Sequence, residues 1–195
     1  KPLTAAGTVQ SHKMGVLLGR HGLEKVHGHG PCLLQEYANH GGKLFKVYVL
    51  GSKVWVFQRP SLPNLPIGEN SSGNGFVEFD SQRPYPTLDD FGISDDSTQN
   101  ETCGSGSNHY NAEHTVTGAE LRPVADSIRK AFGLELFGFD ILVHSKEEYG
   151  KCHKEMLVVD VNYFPSYKEV TNFSQLLAQY LAQCGIEGRL RSFEA

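Results

Sequence analysis

The sequence predicts an α+β protein in which antiparallel sheets are flanked by helices. Two pairs of apolar, Val-rich segments are each separated by turn-forming or polar residues, which is the pattern of antiparallel hairpins. One later segment repeats its apolar residues at helical spacing behind a capping sequence. Between them lies a long stretch rich in Pro, Gly, Ser, Asn and Asp, which is typical of loops rather than of a packed core.

The first 37 residues predict a loop, a short helix and a short strand. Lys1 to Met14 reads as a flexible loop whose backbone N–H groups can approach an anion. A helix is expected from Ser11 to Leu18 with Ser11 as its N-cap, so that His12 lies in the first turn, where phosphate is favoured. A surface histidine is the ordinary alternative. Pro31 to Tyr37 reads as a strand that becomes polar at its end.

The first hairpin is predicted around Gly51. Leu44 to Leu50 and Lys53 to Gln58 alternate apolar and polar residues on either side of this turn. Because side chains alternate along a strand, Lys46 shares a face with Tyr48 and projects a cation that could meet phosphate. A lysine with its head in water is the common alternative.

The stretch from 62 to 117 is predicted to be variable. Phe76 to Phe79 reads as a short strand, whereas Ser94 to Glu113 contains few apolar residues and reads as a mobile or disordered segment. A lid over a ligand and a tolerated insertion are both compatible with this composition. Its many Asp residues make it unsuited to gripping phosphate.

Two helices are predicted in the second half of the chain. Thr117 and Glu120 form a capping-box pattern, the apolar stripe continues to Phe132, and Gly133 fits a C-terminal stop. A last helix is expected from about Phe173 to Cys184, with the following glycine as its stop.

The second predicted hairpin carries the candidate metal site. Leu134 to Val143 and Met156 to Asn162 read as strands joined by a polar loop, Ser145 to Lys154. Asp160 and Asn162 are two residues apart and leave the same face, which Asp140 on the partner strand can share. Two carboxylates and an amide suit Mg²⁺, which takes one or two carboxylates and fills other positions with substrate phosphates. A single Asp in a strand can instead be a hydrogen-bonded structural residue, but clustered carboxylates without a cation are costly.

Composition narrows the possible partners and location. The chain has 195 residues and a formal net charge of −4, so nothing points to nucleic acid or an anionic membrane as a partner. No apolar run approaches the roughly 20 residues that span a bilayer. Four scattered cysteines form no paired metal motif, which favours a reduced setting: the cytoplasm, with the nucleus as a second option. The chain starts at Lys1, in what reads as mid-motif, so we expect a fragment or a truncated product.

Three groups of residues together resemble the inositol 1,3,4-trisphosphate 5/6-kinases and inositol-tetrakisphosphate 1-kinases, which have the ATP-grasp fold. The groups are Leu136-Phe-Gly-Phe-Asp140 with Val159-Asp-Val-Asn-Tyr-Phe-Pro165, Phe45-Lys-Val-Tyr-Val-Leu-Gly51 with Gln58-Arg-Pro-Ser61, and Ser11-His-Lys-Met14 after the opening Lys-Pro-Leu. The last group is most similar to plant-like members. The resemblance extends over nearly the whole chain and is weakest from Ser94 to Glu113. It implies an ATP-grasp fold with an incomplete set of domains: a central subdomain (1–61), an insertion (62–117) and a C-terminal subdomain with the magnesium site (118–195).

The resemblance also implies site residues and chemistry. ATP would be bound by Lys1, Gln35, Glu36, Tyr37, Lys46 and Ser61; the inositol phosphate by His12, Lys46 and Asn162; and two Mg²⁺ ions by Asp140, Asp160 and Asn162. A monomer would then transfer the γ-phosphoryl group of ATP to a ring hydroxyl of inositol tris- or tetrakisphosphate. Such a transfer is mostly positioning and charge neutralisation, with Lys1, Lys46 and Arg59 offsetting negative charge, and no residue is named as a general base.

Two departures from the family pattern lead to alternatives. Family members have an N-terminal domain before the point where this chain starts, and the absence of each cationic group that it supplies would weaken substrate binding by roughly 1.5–3 kcal/mol. Ser166 stands where many members have Gly. A non-catalytic, truncated kinase is therefore one alternative. An ATP-grasp carboxylate–amine ligase is another, which the Ser-His-Lys-Met and Gln-Arg-Pro-Ser stretches argue against.

Overall fold

A computed structural model describes residues 1–3, 8–26, 30–66, 75–93, 115–148 and 151–193. The strands are β1 (Lys13–Leu17), β2 (Lys43–Leu50), β3 (Lys53–Pro60), β4 (Phe76–Asp80), β5 (Leu136–Glu148) and β6 (Lys151–Asn162). The α-helices are α1 (Leu23–Val26), α2 (Gly118–Phe132) and α3 (Phe173–Phe193), and 3-10 turns span Val9–His12, Arg20–Gly22 and Asp89–Phe91. The α+β class with antiparallel sheets is confirmed. The chain forms two compact units, which interleave in sequence.

The first unit comprises Lys1–Lys43, Pro60–Ala112 and Val143–Glu155. Its two-stranded sheet pairs β1 with β4 antiparallel, from Lys13 opposite Asp80 to Leu17 opposite Phe76. A small core of buried residues lies in this unit: Val16, Leu65, Phe91 and Ile93. The predicted strand at Phe76 to Phe79 is confirmed.

The helix predicted from Ser11 to Leu18 is wrong. A 3-10 turn ends at His12, β1 follows it, and the N-cap is Thr8, whose side chain accepts from the Ser11 amide. Val16 and Leu18 are two residues apart, and both pack into the core of this unit. That spacing suits a strand, and β4 provides the backbone hydrogen-bond partners that a strand needs. The strand predicted from Pro31 to Tyr37 is also wrong, because its pairing is limited to an isolated bridge between Pro2 and Cys32.

The second unit comprises Leu44–Arg59, Glu113–Leu142 and Met156–Ala195. The four-stranded sheet has the order β3-β2-β5-β6. The first hairpin is confirmed, and β2 pairs antiparallel with β5 so that Lys46 lies opposite Asp140. On the other face of these two strands, the cross-strand partners are apolar and buried: Phe45 with Ile141, Val47 with Phe139, and Val49 with Phe137.

The second hairpin is longer than predicted. The structure contradicts the polar loop from Ser145 to Lys154, since β5 continues to Glu148 and β6 begins at Lys151. The hydrogen bonds between strands are made by backbone groups. Polar side chains, such as the exposed Lys154, therefore do not prevent the two strands from continuing.

Helix α2 follows its sequence signals closely. The reciprocal Thr117–Glu120 capping box is present, and Gly133 ends the helix in the left-handed conformation at φ 64°. Phe132 lies outside the buried stripe, because its side chain is 62 % exposed. Helix α3 continues past the predicted stop at Gly185 to Phe193. A glycine inside a helix costs about 1 kcal/mol, which is not enough by itself to end one.

Some predictions concern other parts or properties of the molecule. Ser94 to Glu113 lies outside the described residues. The division of the chain at residues 61 and 117 into subdomains stays a prediction, as do the monomeric state and the cytoplasmic or nuclear location. In the described ranges no helix is both long and apolar enough to cross a membrane.

Candidate functional site

The centre of the sheet in the second unit carries a lysine–aspartate pair. Lys46 on β2 and Asp140 on β5 are cross-strand partners, and Lys46 Nζ lies 3.7 Å from Asp140 Oδ1. The Asp140 side chain is only 15 % exposed. Its Oδ1 atom is buried and has no hydrogen-bond partner among the described residues. The carboxylate is therefore paired in charge with Lys46 but is left without a hydrogen bond at this oxygen.

Electrostatics at Asp140 favour the arrival of a cation. Burial raises the pKa of the Asp140 carboxyl, and the nearby Asp160 carboxylate raises it further. Lys46 and Arg59 act in the opposite direction without cancelling the effect of burial. The ionised carboxylate is thus destabilised by its surroundings, and a bound cation would stabilise it.

The end of β6 supplies the other predicted metal ligands. Asp160 and Asn162 are exposed, and Asn162 Nδ2 donates to Asp160 Oδ2 at 2.5 Å. That orientation leaves Asn162 Oδ1 as an acceptor. No three His, Cys, Asp or Glu side chains form a metal-binding group in the described ranges. Two carboxylates and an amide oxygen nevertheless fit Mg²⁺, which needs few protein ligands, and the orphaned Asp140 oxygen supports that fit.

Close contacts fix the backbone at this end of the sheet. A side chain on Gly138 would place its Cβ 2.9 Å from Pro165 Cγ and 3.0 Å from Val47 O, so only glycine admits this approach. Tyr167 is buried at φ 49°, a left-handed conformation, and stacks on Phe173 with ring centroids 3.9 Å apart. These contacts hold the segment after Asn162 against the sheet.

A second charged cluster in this unit was not predicted from the sequence. Tyr48 donates its hydroxyl to Glu169 Oε2 at 2.5 Å, and Arg59 forms an ion pair with Glu169 Oε1. Burial raises the pKa of Tyr48, and the Arg59 charge opposes that rise. Glu169 thereby orients the Arg59 guanidinium, whose charge also lowers the pKa of Asp140. Glu169 is 121 residues from Tyr48 in the sequence, so no local pattern indicates the contact.

In the first unit, Lys1 and His12 occupy separate places. The Lys1 amino terminus donates to Leu33 O at 2.9 Å, and Lys1 is exposed. His12 is held by the turn after β4, because its Nε2 lies 3.1 Å from Gln82 Nε2 and its Nδ1 lies 3.4 Å from Ser81 Oγ. His12 closes a 3-10 turn rather than opening a helix, so the predicted helix-dipole contribution at this residue is wrong.

Tyr37 and Ser61 belong to a feature that we call the clasp, in which residues 37–42 bind residues 61–65. Tyr37 donates its hydroxyl to Pro63 O at 2.6 Å, Asn39 makes two hydrogen bonds to the Leu65 backbone, and Gly41 N donates to Asn64 Oδ1 at 2.8 Å. Burial raises the pKa of the Tyr37 hydroxyl. Gln35 and Glu36, which are also predicted to bind ATP, are exposed and directly precede the clasp.

His40 is the buried centre of the clasp and was not predicted. It is 7 % exposed, its Nδ1 lies 2.7 Å from Ala38 O, and its Nε2 lies 2.9 Å from Ser61 Oγ. Burial lowers the pKa of His40, and the nearby His144 lowers it further, whereas the bond to Ala38 O opposes this. His144 itself contacts Asn39 O through Nδ1 at 2.8 Å.

The structure thus brings together four predicted residues in one unit: Lys46, Asp140, Asp160 and Asn162. Tyr37 and Ser61 share the clasp in the other unit, where Lys1 and His12 lie at places of their own. The ligand roles of all these residues stay predictions.

Several known proteins resemble this chain over most of its length. The family model described as the inositol 1,3,4-trisphosphate 5/6-kinase ATP-grasp domain matches residues 1–183. Inositol-tetrakisphosphate 1-kinase 1 of Zea mays is 36% identical over 184 residues, which cover 92% of this chain and 48% of that protein. Inositol-tetrakisphosphate 1-kinase 5 of Oryza sativa subsp. japonica is 32% identical over the same shares. Inositol-tetrakisphosphate 1-kinase 1 of Arabidopsis thaliana is 28% identical, covering 92% and 51%. The chain therefore spans about half the length of these curated relatives.

Proposed function

Because the chain belongs to the inositol 1,3,4-trisphosphate 5/6-kinase ATP-grasp family, we propose that it transfers the γ-phosphoryl group of ATP to a ring hydroxyl of an inositol tris- or tetrakisphosphate. The observation that carries the proposal is the buried, under-compensated Asp140 carboxylate opposite Lys46, on a sheet that also bears Asp160 and Asn162. In a kinase, such carboxylates would bind the Mg²⁺ ion that also coordinates the phosphates of the substrate.

In this proposal Asp140, Asp160 and Asn162 hold magnesium through oxygen atoms. When bound, the metal would neutralise charge on the phosphate oxygens of ATP. Asp140 is suited to this because its buried Oδ1 lacks a hydrogen bond in the described residues. Asn162 is suited to it because its amide nitrogen is engaged by Asp160, which leaves the amide oxygen for a cation or a substrate hydroxyl.

Lys46 would stabilise negative charge on the transferred phosphoryl group. The Lys46 side chain is 26 % exposed, and its Nζ lies 3.7 Å from Asp140 Oδ1, beyond hydrogen-bond distance, so the ammonium hydrogens remain available to phosphate. Arg59, with a side chain 48 % exposed, would add a second cation while Glu169 fixes its direction. Charge neutralisation and positioning account for most catalysis in phosphoryl transfer, and the proposal assigns no general base.

Residues of the first unit would contribute binding. Lys1 is an exposed cation for nucleotide phosphate, and His12, beside the β1–β4 sheet, would present its imidazole to inositol phosphate. The backbone at Gln35 and Glu36 would hold adenine, next to Tyr37 and Ser61 of the clasp. Their support is the family match together with their accessible positions.

The test is turnover by this chain with Mg²⁺, ATP and inositol tetrakisphosphate, with the products separated by chromatography. We expect a more highly phosphorylated inositol and ADP. Asp160→Asn should lower the rate at least about 100-fold, since changes even in groups that only support a metal ligand cost about 10- to 100-fold. The matched control is Asp89→Asn, at an exposed aspartate in a 3-10 turn, which should stay within about twofold of the unmodified chain.

Three results bear on the alternatives. ADP release that requires an amine acceptor would indicate a carboxylate–amine ligase. Mg²⁺-dependent ATP binding without phosphorylated product would support a nucleotide-binding, non-catalytic kinase chain. Equal rates for Asp160→Asn and Asp89→Asn would contradict the proposed metal site.

A further inference from the structure

The contact between His40 and Ser61 has a direction that can be deduced from its partners. His40 Nδ1 lies 2.7 Å from the carbonyl oxygen of Ala38, which can only accept a hydrogen bond. Nδ1 must therefore carry a hydrogen. In a neutral imidazole the other nitrogen then has a lone pair, so His40 Nε2 accepts, and the Ser61 hydroxyl 2.9 Å away must donate.

A neutral ring is the form that the surroundings favour. His40 is 7 % exposed, and in the described residues the titratable side chain that acts on it is another histidine, His144, rather than a carboxylate. Burial lowers its pKa, and an imidazolium here would lose hydration without gaining a counter-ion.

The direction of the hydroxyl decides what Ser61 can offer to a ligand. A hydroxyl has one hydrogen, and Ser61 donates it to His40, so the oxygen of this partly exposed residue presents lone pairs only. Phosphate oxygens are acceptors and would be repelled by these lone pairs. The nucleotide groups that donate are the ribose hydroxyls and the exocyclic amine of the adenine.

We infer that His40 is a positioning residue that turns Ser61 into a hydrogen-bond acceptor for the nucleoside part of ATP, not a donor to its phosphates. The inference rests on the proposed function, since it takes the ligand of Ser61 to be a nucleotide. It deepens that function by assigning Ser61 a part of the nucleotide and His40 a role in specificity.

The clasp makes the arrangement rigid enough to select a ligand. Ser61 N donates to Gly42 O at 2.8 Å, so the backbone of Ser61 is fixed as well as its side chain. Gly41 and Gly42 have φ angles of 65° and 66°, which glycine adopts easily, and this tight turn places His40 beside Ser61. A pre-organised acceptor costs little entropy on binding.

The first arm of the test needs no ligand. Nitrogen-15 NMR of the histidine-labelled chain, with His40→Asn to assign the signal, reports which ring nitrogen carries the proton. At about pH 7.5, above the ordinary histidine pKa of about 6.5, we expect the tautomer protonated at Nδ1. A ring protonated at Nε2, or at both nitrogens, would overturn the inference.

The second arm measures nucleotide affinity by calorimetry for the unmodified chain and for Ser61→Ala. The probes are the Mg²⁺ complexes of ATP, 2′-deoxy-ATP, 3′-deoxy-ATP and purine riboside triphosphate, which lacks the exocyclic amine. Ser61→Ala should weaken ATP binding about 2- to 12-fold, the size of one neutral hydrogen bond. One of the three analogues lacks the donor that Ser61 contacts. Ser61→Ala should not change the affinity for that analogue. An equal reduction in affinity with all four nucleotides would place the contact on the phosphates and overturn the inference.

Two further variants separate positioning from folding. Ser127→Ala removes an exposed serine hydroxyl from α2 and should leave all affinities unchanged. His40→Gln keeps a polar side chain at this position. It should reduce the preference for ATP over the analogue that lacks the donor contacted by Ser61. Adding Ser61→Ala to His40→Gln should not change that preference further. An undiminished preference in folded His40→Gln would refute the role of His40. If the unmodified chain binds none of the nucleotides, the proposed function fails, while the tautomer still decides the direction of the hydroxyl.

Discussion

Replacing Tyr167 with Phe should destabilise the second unit without changing its apolar core. The Tyr167 side chain is 2 % exposed, and its hydroxyl shares one hydrogen between Val49 O at 2.7 Å and Phe137 O at 3.0 Å. These two residues are cross-strand partners in β2 and β5, the strands that also carry the Lys46–Asp140 pair. Phe retains the ring and its stacking on Phe173 but leaves two buried carbonyls without this donor.

The size of the effect follows from the missing donor. One ordinary hydrogen bond contributes about 0.5–1.5 kcal/mol, and an unsatisfied buried acceptor costs about 1–3 kcal/mol. We therefore expect Tyr167→Phe to lower the free energy of unfolding by about 1–3 kcal/mol. For a chain of this length each kcal/mol lowers the Tm by about 2–4 °C.

The assay is urea unfolding followed by the fluorescence of Trp55, the single tryptophan, which packs against the core cluster that contains Tyr48 and Tyr167. Tyr163→Phe is the matched control because Tyr163 is 76 % exposed. Its effect should stay within about 0.5 kcal/mol. Equal unfolding free energies for the two variants would refute the reasoning, because they would show that the buried hydroxyl contributes no more than an exposed one.

Three further predictions concern charge. Lys46→Met removes the cation opposite a buried carboxylate and should lower turnover at least about 100-fold in the phosphorylation assay. The control Lys53→Met, at an exposed lysine, should leave turnover unchanged. Glu169→Gln keeps the shape of the side chain but frees Arg59, so kcat should fall about tenfold with little change in Tm; an unchanged kcat would remove Glu169 from the site. The fold lowers the pKa of His40, so the stabilising contribution of the neutral ring is present above about pH 6.5 and is lost as the pH falls through the folded-state pKa. The free energy of unfolding in urea should therefore decline less between about pH 8 and about pH 5 in His40→Asn than in the unmodified chain.

Local signals explain which parts of the fold could be predicted. The turn at Gly51, the capping box at Thr117 and the stop at Gly133 each depend on a few neighbouring residues, and all three are present in the structure. By contrast, β1 is a strand because Phe76 to Asp80 pairs with it from more than 50 residues away. Without that partner, the spacing after Ser11 also fitted a helix.

The same distinction applies to the candidate site. Asp160 and Asn162 could be predicted to act together because strand alternation alone puts them on one face, and Lys46 opposite Asp140 required only the correct pairing of two recognisable strands. Glu169 and His40 could not be predicted, since each is defined by a partner brought close only by the tertiary fold: Arg59 for Glu169, and Ser61 for His40.

The two carboxylates near Arg59 distinguish a structural acid from a candidate ligand. Glu169 Oε2 accepts the Tyr48 hydroxyl, and its Oε1, although it has no geometrically regular hydrogen bond, is in direct ion-pair contact with the Arg59 guanidinium. Both oxygens of Glu169 thus have a partner, as a partly buried carboxylate normally does. Among the described residues, the charged group nearest to Asp140 Oδ1 is the Lys46 ammonium at 3.7 Å, and Arg59 lowers the pKa of Asp140 without forming an ion pair with it. A buried structural aspartate would be expected to have a hydrogen-bond donor for each oxygen. The unequal surroundings of these two acids favour Asp140 as the one that is completed by a cation, and they argue against a role for Asp140 as a hydrogen-bonded structural residue.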